Sequence, residues 1–209
     1  MDIKKTILGS INRVAETHFF LRPVLIDSLK RTIITEQVKK YALGCSNYFE
    51  YWEKSNSKDF FDMGTLIRLG TEIEKGLKYY YMEKKGHKNL QDLKSDPNYE
   101  FNIFQRVLPW ISGNTVVDLF KNQLNYDLNS NSKFKNIQEI MLYRHLYAHN
   151  SGLLDDKFIA HYKELTSIDL TLLPEIQKRY PYEDIYYFKP LEALSGYIED
   201  TRAFFRELP

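Results

Sequence analysis

What most constrains this chain is the length of its helix-period stripes set against a shortage of residues that stop helices. Its 209 residues include only nine glycines and seven prolines. From Pro23 to about Lys54 the apolar positions are Leu25, Leu29, Ile33, Val38, Tyr41, Cys45, Tyr48 and Trp52. They advance by three, four or five residues, the period of one helix face. From Phe60 to Lys85 a second stripe runs through Phe61, Leu66, Leu69, Ile73, Leu77, Tyr80 and Tyr81. Pro23 suits a first helical turn, Ser57 or Asp59 an N-cap, and Gly86 a stop. A β-sandwich needs frequent turn signals that this chain lacks. The pattern predicts an all-α, antiparallel helical bundle of about five to seven helices. It reads as one domain over 1–209, with a core in about 20–165 and a C-terminal helix, 190–207, packed on it.

Farther along, "HKNLQDLKSDPN" (87–98) reads as a polar connection, and 99–124 as one or two shorter helices divided by Pro109 and Gly113. The asparagine-rich "NYDLNSNSK" (125–133) reads as a loop, with Ser132 placed to cap a helix over about 133–149. Asp155 or Asp156 can cap the next one. Within 166–189, "EDIYYF" fits a short strand or an extended packing segment. Leu191, Leu194, Ile198 and Phe205 set the stripe of the last helix.

Composition narrows the function classes. The formal net charge is +1, so no global field attracts a polyanion and any nucleic-acid contact must be local. A single cysteine, Cys45, cannot form an intrachain disulfide and fits a reducing compartment; its place on the stripe predicts a buried, inert thiol. The opening "MDIKKTILGS" lacks the apolar segment of a secretory signal, and no run reaches the ~18 apolar residues of a membrane span. The expectation is a cytoplasmic protein with no membrane partner.

The stretch "YRHLYAHNSG" (143–152) holds two of the five histidines. His145 and His149, four apart, share a helix face, as in zinc-binding H-E-x-x-H helices. Here Leu146 stands where the glutamate would be, and His161 is the one nearby candidate for a third ligand, which argues against a metal centre. Arg144 with His149 fits acid–base chemistry better. An arginine holds phosphate in a bidentate fork, and a histidine exchanges a proton near neutrality. Together they supply the elements for cutting RNA without metal or other cofactor: a base for the ribose 2′-OH and a cation for the pentacoordinate phosphate. In a regular helix five residues turn ~500°, leaving the two side chains ~140° apart. Their meeting therefore calls for a helix end that loosens at Asn150, Ser151 and Gly152.

These residues resemble the motif of HEPN domains: an arginine, four to six residues, then a histidine, with a polar residue often next to the arginine. "RHLYAH" fits with Arg144, His145 and His149, late in the chain after two long helices. The resemblance implies a metal-independent endoribonuclease that works as a homodimer, pairs two motifs across the interface and leaves a 2′,3′-cyclic phosphate. Many such proteins are toxins or phage-defence effectors, which implies an antitoxin or defence-system partner. Arg144 and His149 would be catalytic, with His145 and Asn150 supporting. Other HEPN domains are silent scaffolds that bind RNA, a nucleotide or a protein. HEPN toxins controlled by nucleotidylation often carry a tyrosine two residues after the histidine. Ser151 stands there, with Tyr147 one turn away.

Plainer readings compete. Arginine and histidine at a helix C-terminus are favoured by the backbone dipole alone. The tyrosine runs "KYYYMEKK" (78–85) and "IYYF" (185–188) offer stacking surfaces for single-stranded RNA, but aromatic stripes at such spacing more often fill cores. Lys75, Lys78, Lys84, Lys85 and Lys88 form an ordinary solvated face. Lys133 and Lys135, just upstream of the motif helix, are the better candidates for an RNA backbone.

Overall fold

The computed structural model describes residues 2–32, 34, 44–54, 57–111 and 113–209. The chain is all-α; among the described residues there is no sheet, only an isolated antiparallel bridge between Leu153 and Tyr186. Four long helices carry the core: α1 (Ile3–Glu16), α4 (Ser57–Lys85), α7 (Phe134–Asn150) and α10 (Leu194–Glu207). Shorter helices surround them: α2 (Arg22–Arg31), α3 (Tyr48–Lys54), α5 (Leu90–Lys94), α6 (Val116–Leu124), α8 (Asp156–Thr166) and α9 (Pro174–Gln177).

The contacts close the long helices into an antiparallel ring. Lys4 donates to the Leu208 carbonyl, while Arg202 donates to Asn12 at 3.0 Å, so α1 and α10 run in opposite directions. Ile7 lies beside Gly76 and Arg22 reaches Asp62, which opposes α1 to α4. Asn131, just before α7, and Asn136 and Glu139 on it meet Phe204, Asp200 and Tyr197 in turn, descending α10 as α7 ascends. Arg144 lies by Glu74 and Gly70, and Tyr147 feels the charge of Asp59, which sets α7 against α4. The enclosed core runs from Ile7 to Leu208 and includes Ile11, Leu69, Leu77, Ile140, Ile198 and Phe205.

Several sequence expectations change. The core reaches back to α1, which Asp2 caps through Lys5 N–H at 3.2 Å; Ile7, Ile11, Val14 and Ala15 face inward. The proposed helix over Pro23–Lys54 is interrupted. α2 ends at Arg31, Thr32 is extended at ψ 118°, and α3 begins only at Tyr48. Thr32 is β-branched, and such a side chain loses χ1 freedom in a helix; residues 44–47 are also outside any helix. Ile33, Val38 and Tyr41 of that stripe lie outside the described residues. Cys45 is half-buried rather than sealed in a stripe.

The polar connection contains α5 and is anchored from inside. Buried Asp96 accepts hydrogen bonds from Tyr81 at 2.7 Å and from Asn98, and pairs with His87 at 3.0 Å. Residues 99–124 form a 3₁₀ turn, Ile103–Gln105, and then α6. Ser132 does not cap α7; Asn131 instead accepts from the Lys133 N–H at 2.8 Å. "EDIYYF" is an extended packing segment: Leu154 N–H bonds the Ile185 carbonyl, Tyr187 N–H bonds the Gly152 carbonyl, and Ile185 and Tyr187 are buried. Tyr80, Tyr81 and Tyr187 are core residues, as aromatic stripes predict, while Tyr79 and Tyr186 keep exposed faces.

Candidate functional site

α7 is central because its apolar residues almost encircle it. Nine of its seventeen residues are buried: Phe134, Ile137, Gln138, Ile140, Met141, Leu142, Tyr143, Leu146 and Tyr147. A helix apolar nearly all round sits inside a protein and has little polar surface to spend. That surface is concentrated in the last two turns, where His145, Ala148 and His149 are exposed. The helix stays regular through Asn150. Ser151, at φ 52°, ends it in the left-handed region, and Gly152, at φ 90°, turns the chain toward α8.

The helix end loosens at Ser151 and Gly152, while Asn150 and His149 stay in regular helix. Arg144, His145 and His149 nevertheless line one cleft at that end. This cleft, of about 650 Å³, is lined by Arg144, His145 and His149 together with Glu100, Gln105 and Arg106 from the segment before α6. The two imidazoles lie side by side with ring centroids 4.6 Å apart. Neither has a hydrogen-bond partner among the described residues. Desolvation, then the neighbouring His149, then the positive charges of Lys157 and Arg144 hold His145 below its ordinary histidine value.

Arg144 is fixed by two features of α4. Its aliphatic stem crosses the helix at Gly70, where a Cβ would lie 2.5 Å from Arg144 Cδ. Its guanidinium Nη2 then reaches Glu74 Oε2 at 3.4 Å, and the other oxygen of that carboxylate accepts from Gln105 Nε2 at 2.9 Å. Arg144 Nε is buried and makes no hydrogen bond among the described residues. Arg106 is held by Glu100 and by the Asn114 carbonyl. The cleft therefore pairs two arginines with two imidazoles, an arrangement suited to binding an anion and moving a proton beside it.

The remaining sequence candidates fall in different places. Asn150 donates to Asp155, which also caps α8 by accepting from Phe158 N–H at 2.6 Å, so Asn150 fastens the turn after the motif. Lys133 pairs with Asp200 at 2.7 Å, and Lys135 is exposed. Both sit at the opposite end of α7, on the order of 20 Å from His149 at the helical rise. Tyr147 is buried and donates to the Tyr187 carbonyl at 2.9 Å. His161 stacks on Trp110, with ring centroids 4.2 Å apart and planes 6° from parallel. No group of three metal-ligating side chains comes together among the described residues.

Sequence reasoning missed Arg106, Gln105 and Glu74. No local pattern marks them, because only the fold brings the 3₁₀ turn and mid-α4 to the end of α7. It also found no Ser–His–Asp arrangement, yet His18 stands between Ser195, 3.1 Å from Nε2, and Asp62, 4.0 Å from Nδ1. The Asp62 carboxylate is clamped by Arg22 at 2.7 and 2.8 Å, and His18 Nδ1 is buried without a hydrogen bond. That carboxylate therefore does not orient the imidazole as nucleophile activation requires, and the trio reads as a joint between the π-helical turn Thr17–Leu21, α4 and α10. Compared with protein-family models, curated proteins and solved structures, the chain matches none.

Proposed function

We propose that the protein is a metal-independent endoribonuclease of HEPN type, working as a homodimer. The observation that carries this reading is the single cleft lined by Arg144, His145 and His149. His149 takes the proton of a ribose 2′-OH. The oxygen attacks the adjacent phosphorus, the bond to the 5′-oxygen breaks, and that oxygen leaves with a proton. The products are a 2′,3′-cyclic phosphate and a 5′-hydroxyl. Arg144 offsets the charge on the pentacoordinate phosphate, and an acceptor there would also satisfy its buried Nε. His145 supports the phosphate and the proton balance beside His149, and Asn150 holds the turn. Arg106 adds a second cation at the cleft mouth. The exposed His145–His149 face is available to the same face of a second copy, which would set two motifs together. A toxin or phage-defence role, with an antitoxin or defence-system partner, follows from the resemblance.

A second reading rests on the Arg144–Glu74 pair. An arginine already engaged by a carboxylate fits a silent HEPN-like scaffold that binds RNA, a nucleotide or a partner protein. One experiment separates the two. Total RNA is incubated with the protein, with and without EDTA, alongside Arg144→Ala and His149→Ala. Cleavage that resists EDTA, leaves cyclic-phosphate ends and disappears in both variants is the expected result. Folded dimer that cuts nothing at any concentration would favour the scaffold. Loss of cutting with EDTA would sink the metal-free mechanism.

A further inference from the structure

His145 has a second side. Behind the cleft lies a cavity of about 480 Å³, inside the ~300–1,000 Å³ range of small-ligand pockets. Its walls are apolar, from Leu108, Ile111, Leu142, Leu146 and Phe158, with the Trp110–His161 stack at one side. Its polar groups are few and gathered at the rim: His145, Asn150, Asp155 and Lys157. Flat apolar walls with a few convergent polar atoms are what a planar heterocycle requires. His145 lines both spaces, so a group seated here adjoins whatever occupies the cleft.

The rim offers both signs of hydrogen bond. Asn150 spends one amide N–H on Asp155 and keeps its second N–H and its carbonyl oxygen. Each Asp155 oxygen takes one bond, from Asn150 and from the Phe158 N–H, and keeps further acceptor capacity. Lys157 has donors only, and His145 in its neutral form offers one donor and one acceptor. The hydrogen-bonding edge of a nucleobase sets an acceptor next to a donor, which this set can meet.

We infer that this cavity is a base-binding pocket that takes the nucleobase of the nucleotide adjoining the phosphate in the Arg144–His149 cleft. The inference rests on the nuclease reading for its placement beside a scissile phosphate. Its base-binding content does not.

Two measurements keep the two apart. In the first, the full chain carrying Trp52→Phe, which leaves Trp110 as the sole indole, is titrated with GMP, UMP, AMP, CMP and ribose 5-phosphate. Saturable quenching by the nucleotides, at concentrations at least tenfold below any effect of ribose 5-phosphate, is expected. His161→Ala should raise the required concentration about tenfold. In the second, DNA oligomers with one ribonucleotide are cut by the wild-type chain, with the neighbouring base varied or made abasic. Cleavage at least tenfold faster beside a base than beside the abasic site, reduced to the abasic rate in His161→Ala, is expected. Quenching without cleavage would leave the pocket standing and remove the nuclease. Arg144-dependent cleavage as fast beside the abasic site as beside any base, with no quenching, would overturn the pocket.

Discussion

Two histidine environments in this molecule differ in kind. His87 is accounted for: it pairs at 3.0 Å with buried Asp96, which also takes the Tyr81 hydroxyl and two donors from Asn98. Burial pushes the Asp96 carboxyl up, but the hydrogen bonds from Asn98, Tyr81 and His87 outweigh it and hold it well below the usual carboxylate range. His145 and His149 make no hydrogen bond to a carboxylate among the described residues and line an open cleft with two arginines. A histidine whose every neighbour is satisfied holds a fold together. A pair whose ring nitrogens make no internal bonds has its hydrogen-bonding capacity left for something else.

The contrast can be broken or sharpened by substitution. The largest effect is expected from His149→Ala, which should lower RNA cleavage by ~10²–10⁴-fold and leave the urea midpoint unchanged. A midpoint that falls with the activity would make His149 structural after all. Asp96→Ala should invert the result. Leaving the Tyr81 hydroxyl buried without its acceptor should cost about 1–3 kcal/mol in urea unfolding, with cleavage per folded molecule retained. Gly70→Ala is next. The new methyl displaces the Arg144 stem, so cleavage should fall about tenfold, while the gain in helix propensity, ~1 kcal/mol, offsets much of the strain.

The smallest effect is in pH dependence. Because Asp96 is depressed in the folded state, its contribution is complete above the unfolded value, ~3.9, and is lost as pH falls below it. His145 is also depressed, which favours its neutral form, so its part of the stability is lost as pH falls through ~6.5. Urea midpoints between pH 4 and 8 should show a shallow rise with pH, and His145→Gln should flatten the segment near 6.5. A midpoint that rises toward acid over this range would contradict the His145 assignment, and one that does not fall below pH 4 would contradict that of Asp96.

Much of the fold was legible because it rests on periodicity. The stripes of α4 and α10, and the break after Asn150, are one-dimensional signals that the structure bears out. α1 was overlooked because "IKKTILGSINRVAE" is mostly polar and its four inward residues are identifiable only against α4 and α10. The Pro23–Lys54 stripe misled because apolar spacing carries no signal of the stop at Thr32. Of the site, Arg144, His145 and His149 were legible as near neighbours in sequence. Arg106, Glu74 and Trp110 were not, since a cleft between three elements leaves no mark within any one of them.

The position of Glu74 has a consequence of its own. Its carboxylate holds Arg144 with one oxygen and Gln105 with the other, so the guanidinium begins with a counter-ion built into α4. An incoming anion does not simply add to Arg144; it must exchange with Glu74. Affinity at this position is therefore a difference between two carboxylate- or phosphate-like acceptors, and the native one acts as an intramolecular competitor. Releasing it, with Gln at position 74, would turn an exchange into a plain association. The same arginine would then discriminate less between anions and hold each of them longer.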